Sequence, residues 1–459
     1  MYEAKFFDIA IEACIIFLII FTPMAFGSVG LGPQIVFISI SEFIFFLWLL
    51  KSIKSGRTDY SFSAFSFLFV IFLAVIFFQT IPLPKFLLKV LSPAMYRNYV
   101  DFLPGYKEHF MWRSISAHPQ AARIEFLKFL SYALIIFVIA DNFKKKSQIL
   151  HVLGAVSIAG FIIAIFGIAQ KFSYNGMIYW AVPVPEGAGP FGPFVNKNHF
   201  AGFMELAIPI TAVFVFITQK AEKKIFFAFM AVVMLLSLFL CLSRAGIVSF
   251  FLACGIVMAL VFLRRSLAKY IFYALPVILI IFALIFLVTK GVLVEKFAAA
   301  PEAFLKRAAI YKDTVRMFLD FPLFGSGLAG FTDIFPMYKT YAGGMVFRHP
   351  ESDWLQFLSE TGLAGFLCIV ISIWLFFKDI LCCHFLGKGR CVSLKNVNLR
   401  HDRFILLIIS AGIVSIISII LHGFLDVNLH IPSNMLLTCI VAAILVASAH
   451  VKFKEDDNK

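Results

Sequence analysis

Twelve predominantly apolar runs of 17 to 24 residues recur along this chain, near 9–26, 33–50, 64–81, 124–140, 149–170, 199–218, 225–242, 245–263, 270–290, 354–377, 404–424 and 432–451. A helix needs roughly 20 apolar residues to cross about 30 Å of hydrocarbon, so each run suits a bilayer span. Inside lipid every backbone N–H and C=O must be satisfied within the protein, which leaves helices and closed barrels. Barrel strands would read as short alternating segments, whereas these runs are continuous. Composition agrees: 61% of residues are apolar, 14% are charged and the mean hydropathy is +0.94, more apolar surface than a soluble core can hide. The expected fold class is all-α, a polytopic membrane protein of about twelve transmembrane helices.

Basic residues orient the spans. With the first span running outward, every second connection is basic. These connections hold Lys51, Lys54 and Arg57; Lys144, Lys145 and Lys146; Lys220, Lys223 and Lys224; Arg264, Arg265 and Lys269; the 378–403 stretch; and a tail with Lys452 and Lys454. The positive-inside rule places them, and both termini, in the cytoplasm. Asp8 and Glu12 fall where a leader peptide needs a basic start and an unbroken apolar core, so the first run is expected to be a span. The formal charge of +14 is scattered over loops on both faces and calls for no nucleic acid. Of the eight cysteines, Cys14, Cys241, Cys254, Cys368 and Cys439 lie within or at the ends of spans. Cys382, Cys383 and Cys391 lie in a cytoplasmic loop, so no disulfide framework is implied, and CCHFLGKGRC fits no zinc spacing.

Three long segments remain on the outer side, 82–123, 171–198 and 291–353, with short turns around Leu242–Arg244 and His422–Pro432. Loops carry function more often than the scaffold that holds them. In 82–123, Leu, Phe and Val interleave with Lys85, Lys89 and Arg97, the pattern of an interfacial amphipathic helix or of a structural cap. In 291–353, Pro301 and Glu302 open a helix with Phe304, Ala308, Tyr311, Val315 and Phe318 at helical spacing. Lys306, Arg307, Lys312 and Arg316 occupy its other faces. Gly325, Gly327 and Gly330 match G-x-G-x-x-G, but no strand precedes them and dinucleotide binding is not implied.

The polar chemistry gathers in a few strings. In RHPESDW, Pro350 suits the first helical position, Glu351 and Asp353 the first turn, and the span begins at Trp354. His349 then stands at a helix N-terminus beside Arg348, where the dipole disfavours imidazolium. It can act as a neutral general base, or the string can be a plain helix cap. Arg244 interrupts an apolar hairpin, and an arginine there is costly unless it is paired, lines a polar cavity or snorkels to the interface. His422, Asp426 and His430 cluster between the last two spans, lining the same cavity or filling a polar turn. Arginine grips phosphate oxygens bidentately, so a base beside an arginine cluster suits group transfer from a lipid-linked phosphate donor. Glu351 and Asp353 are alternative ligands for a divalent cation, but arginines neutralise a leaving pyrophosphate unaided, so no metal or other cofactor is expected.

Five strings now occur in order: GPFVNKNHFAG at 192–202, LSRAG at 242–246, the 307–328 stretch ending FPLFGSGL, HPESDWLQFLSETGLAG at 349–365 and HGFLDVNLHIPSN at 422–434. Together they resemble the O-antigen ligase and polymerase superfamily of bacterial inner-membrane glycosyltransferases, over roughly residues 150 to 440. The resemblance implies a helical enzyme with a large periplasmic loop between spans 9 and 10 that carries amphipathic helices. It implies an N-terminal transmembrane region at 1–148 with the periplasmic loop 82–123. A ligase-like region at 149–451 would follow, with the periplasmic loop 291–353, and then a cytoplasmic tail at 452–459.

The family moves a glycan from undecaprenyl pyrophosphate to a sugar hydroxyl, on lipid A–core in the ligases and on another lipid-linked repeat in the polymerases. Its essential histidine falls on His349 and its arginines on Arg244 and Arg307; the neighbouring residues of this chain add Arg348 as an alternative phosphate contact and Glu351 as a helper to the base. Many relatives carry Asn soon after the histidine, where this chain has Pro350, Glu351 and Ser352. Asn196 and Asn198 suit a helix N-cap, and Lys197 and His199 then face outer-leaflet water as a wall of the substrate cavity or as part of the cap. The expected partners are the lipid-linked donor, a lipid or glycan acceptor and the membrane. A polymerase, a protein glycosyltransferase and, from another class, a solute transporter with midplane charges and broken helices stay open.

Overall fold

The computed structural model describes residues 2–56, 64–109, 111–185, 188–262, 300–341, 347–381 and 403–450. The apolar runs become helices because lipid-compatible segments can satisfy their backbone only internally. The bundle consists of α1 (Tyr2–Met24), α2 (Leu31–Ser55), α3 (Ala64–Phe78), α6 (Pro119–Asn142), α7 (Lys146–Phe172), α8 (Lys197–Ile217), α9 (Ala221–Leu240), α10 (Arg244–Phe262), α13 (Asp353–Leu381), α14 (Arg403–His422) and α15 (Pro432–His450). Shorter or more polar helices gather at one end: α4 (Lys85–Leu91), α5 (Pro93–Phe102), α11 (Ala300–Asp320) and α12 (Phe331–Ile334). A two-stranded hairpin, Met177–Ile178 with Val182–Pro183, lies in the connection between α7 and α8.

Seven helices among the described residues are long and apolar enough to cross a membrane: α1, α2, α7, α8, α9, α13 and α14. Shorter apolar stretches lie in α3, α10 and α15, at Ser66–Phe78, Arg244–Leu260 and Pro432–Ser448. Helix α6 has the length but carries Arg123, Glu125, Lys128 and Asp141, with the buried Lys128 ammonium 2.6 Å from Glu125. The expected run at 270–290 lies outside the described residues, as do Arg264, Arg265, Lys269, residues 291–299, Cys382, Cys383, Cys391 and the tail at 452–459. Bundle helices turn apolar stripes outward, such as Ile158, Ile162 and Ile165 on α7 and Val370, Ile371 and Trp374 on α13, the surface that lipid would cover. Helix α8 is the most enclosed of the seven and packs against α7, α9 and α14.

The two ends of the bundle differ chemically. At one end Lys51 reaches Asp8 at 2.5 Å and Asn142 at 2.6 Å, while His151 meets Glu12 at 2.6 Å. The carboxylates that interrupt the first run are therefore ion-pair partners that tie α1 to α2 and α7. The opposite end is roofed. Ala94 and Met95 of α5 pack with Ile310 and Met317 of α11, with Phe321 just after it, and with Phe331 and Ile334 of α12 in a small core of their own. The 82–123 segment is thus two short helices, of which α5 is a cap and α4 keeps Phe86 and Val90 exposed.

Helix α13 is broken at Gly362, where φ is 61° and ψ is −169°. The 322–328 loop closes the gap: Leu363 N–H donates to the Pro322 carbonyl at 2.8 Å and Ala364 N–H to Leu323 at 3.0 Å. Gly327 N–H donates to the Glu360 carbonyl at 3.0 Å, and buried Gln79 reaches the Phe324 and Glu360 carbonyls at 2.5 and 2.8 Å. The GSG string is therefore a backbone plug whose close approach requires glycine. A Cβ on Gly362 would stand 2.4 Å from the Leu323 oxygen. Gly362→Ala should cost roughly 2–4 kcal/mol of stability. Gly154→Ala in α7, where nothing lies within 4 Å of the new methyl, should be neutral or stabilising. Thermal unfolding of the two variants in one detergent checks the contrast, and equal melting temperatures would contradict the plug.

Candidate functional site

Four chain segments meet at the roofed end: the N-terminus of α8, the exposed-end turn of α11, the approach to α13 and the α14–α15 connection. Their centre is Asp353, the first residue of α13 and fully buried. Its backbone N–H donates to the Gly423 carbonyl at 2.8 Å. Its Oδ2 accepts the N–H groups of Asn428 and Leu429 at 2.8 and 2.9 Å, and its Oδ1 lies 2.7 Å from His430 Nδ1. Ser352 Oγ donates to Gly423 as well, at 3.1 Å. A carboxylate at a helix N-terminus is stabilised by the dipole, which favours an acid there.

His349 precedes this turn and is half-buried. Its Nδ1 lies 2.9 Å from Gln356 Oε1, and the Gln356 amide nitrogen approaches Glu360 Oε1 at 3.4 Å. The glutamine therefore presents its oxygen to His349, so Nδ1 carries the proton and Nε2 the lone pair. Burial first, and then the neighbouring His430, pull His349 down to about 4. His349 is neutral at physiological pH.

Arg307 projects from α11 toward two carboxylates, Glu351 at 3.4 Å and Asp426 at 3.6 Å. Burial raises Asp426, against the pull of His422 and Arg307; burial and Asp426 raise Glu351, against Arg307. One guanidinium shared by two acids satisfies neither fully. Tyr311, one turn on, places its hydroxyl 2.9 Å from the Glu351 carbonyl and 3.1 Å from that of Phe424, and burial pushes it up to about 12. Asn198 of α8 donates its amide to Asp426 and accepts the Ser243 hydroxyl at 2.8 Å, which brings the start of α10, and with it half-buried Arg244, to the same cluster.

The structure separates the residues that the sequence grouped. Glu351 and Arg307 meet at 3.4 Å, His349 stands two residues before Glu351, and Arg244 opens α10 just beyond Ser243. Arg348 is exposed. Asn196 caps α8, its side chain accepting the Asn198 N–H at 2.9 Å. His199 is close enough to His349 and His422 to feel their charges, and its carbonyl accepts the Asn434 amide at 2.9 Å. Lys197 turns to a different cavity of about 270 Å³, shared with Lys171, Gln170, Tyr174 and Phe191. Helix α13 begins at Asp353, so Pro350 and Glu351 belong to the preceding turn rather than to the first helical turn, and Glu351 has a positive φ of 58°. Glu351 and Asp353 face different partners, Arg307 and His430, instead of one shared point.

Sequence reasoning passed over Asp353 as a hub, and with it Gln356, Tyr311 and the pairing of His430. Asp353 and His430 are 77 residues apart, beyond any local periodicity. Deeper in the bundle Glu205 of α8 meets His422 at 2.6 Å and Ser418 at 2.5 Å, a pair that no string signalled.

Fold and site define a class, a helical membrane protein with a half-buried histidine and an arginine–carboxylate cluster at one roofed end of its bundle. Residues 229–370 match the family model described as O-antigen ligase, which supports a likeness to the O-antigen ligase superfamily over this stretch. The match takes in Arg244, Arg307, Arg348, His349 and Glu351, whereas Asn196, Lys197, His199 and the 422–434 string lie outside it. None of the curated proteins matches this chain.

Removing the Asp353 carboxylate would strand His430 and two backbone donors. Asp353→Ala should therefore lose roughly 3–5 kcal/mol of stability. Glu351→Ala, at a half-exposed ion pair, should lose less than about 1 kcal/mol. Melting curves of both purified variants decide, and comparable losses would remove Asp353 from the centre of the site.

Proposed function

We propose that the chain is an inverting glycosyltransferase that moves a glycan from undecaprenyl pyrophosphate to a sugar hydroxyl at the periplasmic face of the bacterial inner membrane. The observation that carries this reading is the neutral His349, its lone pair on Nε2, two residues before the Glu351 that meets Arg307, within the stretch that matches the family. His349 takes the proton from the acceptor hydroxyl, whose oxygen attacks the anomeric carbon as the bond to pyrophosphate breaks. Arg307 and Arg244 hold the pyrophosphate, and the negative charge that leaves with it is neutralised by guanidinium, so no metal is required. Glu351 and Asp426 keep Arg307 in place before the donor arrives, and the phosphate oxygens then replace them.

In this reading the twelve runs are spans, both termini are cytoplasmic, and α4, α5, α11 and α12 belong to periplasmic segments. The roofed end would then face the periplasm, opposite the end that holds Lys51 and the basic connections. Donor and acceptor share one leaflet, and this confinement supplies much of the rate. Lipid A–core, a second lipid-linked repeat and a protein hydroxyl all suit the same chemistry.

Two observations favour a transporter: α13 is broken, and Glu205 pairs with His422 inside the bundle. Yet the break is filled by the 322–328 backbone, and the family match favours transfer.

A glycan profile of the host lacking this gene tests the reading. Long polymer left on undecaprenol with bare lipid A–core identifies a ligase, collapse to single repeats identifies a polymerase, and an unchanged profile refutes both. In a reconstituted transfer assay His349→Ala should lose about 10²–10⁴-fold in rate. Arg307→Lys should not restore what Arg307→Ala loses, because an ammonium cannot make the bidentate contact. Full activity in folded His349→Ala protein would end the mechanism.

A further inference from the structure

A second cavity adjoins the site and has no part in the chemistry above. About 270 Å³ in volume, it lies between the last turn of α7, the 189–192 loop, the start of α8 and the α9–α10 turn. It shares a wall with the site. Lys197 lines the cavity, while the next residue, Asn198, donates to Asp426. Leu242 lines it too, while the next residue, Ser243, donates to Asn198. Neighbouring Cα atoms stand about 3.8 Å apart, so along these two stretches the cavity and the Arg307–Asp426 cluster lie back to back.

The wall is framed before any ligand arrives. Phe191 and Phe194 exchange N–H···O bonds at 3.1 and 3.2 Å, and Phe191 packs on Phe200 with ring centres 4.5 Å apart. A Cβ on Gly167 would stand 2.6 Å from the Phe191 ring, so α7 and the loop meet without a gap. Lys197 N–H donates to the Gly189 carbonyl at 2.7 Å and ties the loop to α8. Small-ligand sites are mostly preformed spaces of this kind, with a few placed polar groups.

Those polar groups select a ligand. Two lysines line the cavity, half-buried Lys197 on α8 and exposed Lys171 on the last turn of α7. Gln170, beside Lys171, is 2% exposed. Its Nε2 donates to the Met177 carbonyl at 3.0 Å, which makes Oε1 the acceptor end of the amide. That oxygen is buried and has no partner among the described residues. Ammonium groups call for an anion. An orphaned amide oxygen calls for a donor, which a carboxylate lacks and a sugar hydroxyl supplies. Tyr174, exposed at the rim, adds an aromatic surface for the apolar side of a ring. Pockets for drug-sized ligands start at about 300 Å³, so this one suits a single substituted sugar and not a run of glycan.

We infer that the cavity is a binding site for an anionic sugar residue, one that carries a carboxylate or a phosphate, with Lys171 and Lys197 on the charge and Gln170 on a hydroxyl. Its purpose rests on the transferase reading: the cavity takes a sugar near the reacting one in the same substrate and so selects which glycans are transferred. The two lysines and the glutamine serve specificity and do not touch the reacting atoms.

Binding to the full chain in nanodiscs tests this without turnover. The probes are glucuronate, glucose 6-phosphate and glucose, followed by saturation-transfer NMR, with inorganic phosphate as competitor. At least one charged sugar should bind about tenfold or more tightly than glucose, the effect of one charge-assisted hydrogen bond, and the one that binds identifies the charge as carboxylate or phosphate. Lys171→Gln and Lys197→Gln should each weaken that binding about tenfold, and Arg307→Ala should leave it unchanged. Glucose binding as well as the charged sugars, or neither charged sugar binding, overturns the proposal. Displacement by an equal concentration of inorganic phosphate would reduce the cavity to a general anion site and also overturns it. So does binding that Arg307→Ala abolishes and the lysine variants keep. Lys171 is exposed, so its variant decides even where Lys197→Gln fails to fold. Sugar binding with an unchanged glycan profile in the deletion strain would keep the subsite and end the transferase reading, and the reverse result would do the opposite.

Discussion

One buried carboxylate holds the roofed end together. Asp353 accepts two backbone N–H groups and an imidazole while its own N–H binds Gly423, so a single residue fixes the start of α13 to both sides of the α14–α15 connection. A charge in that position would be prohibitive unless hydrogen-bonded on every side, and the helix dipole adds to its stabilisation. Everything that gives the site its chemistry hangs from this anchor. His349 and Glu351 lie on the turn that leads to it, His430 is its partner, and Asp426 lies in the connection that it pins. Loss of the anchor would loosen base, arginine clamp and helix start together, since these are one network and not separable contacts.

The plug at Gly362 sets the depth of the site. Nine residues of α13, Asp353 to Thr361, precede the break, and their carbonyls would be orphaned there without the 322–328 loop and Gln79. The same loop follows α11, so the backbone that repairs α13 also fixes the helix from which Arg307 and Tyr311 project. An irregular backbone at this level is tolerated because protein buries it. The break therefore positions side chains and does not open a passage.

Much of the fold was legible in the sequence because lipid imposes a coarse rule, that apolar length becomes helix. The rule reads α7, α8 and α13 directly, and it fails where charge is satisfied locally, as in α6, whose Lys128–Glu125 pair hides inside an otherwise apolar helix. The roof was half legible. Helical spacing revealed α11, while the packing of α5 against it depends on contacts across some 200 residues of chain. In the site, His349, Arg244 and Arg307 stood out because isolated charges near a membrane are conspicuous. Asp353 did not, since a first-turn acid looks like an ordinary cap until its partners arrive from the far end of the chain. Glu351 gained a partner that its string did not signal. Its place after His349 suggested a helper to the base, and in the structure it has a positive φ and its carboxylate lies 3.4 Å from Arg307.

Arg307 shows why the cluster is suited to exchange rather than to permanent structure. Its two carboxylates both lie above their ordinary range, burial being the first cause in each. An arrangement of this kind binds its guanidinium less firmly than a single well-formed salt bridge would. A pyrophosphate offers oxygens in the bidentate geometry that the split pair lacks, and with more charge. Replacing two strained acids by one such group relieves like-charge repulsion between Glu351 and Asp426. The ion pair that looks structural at rest is, on this argument, the part of the site most ready to change partners.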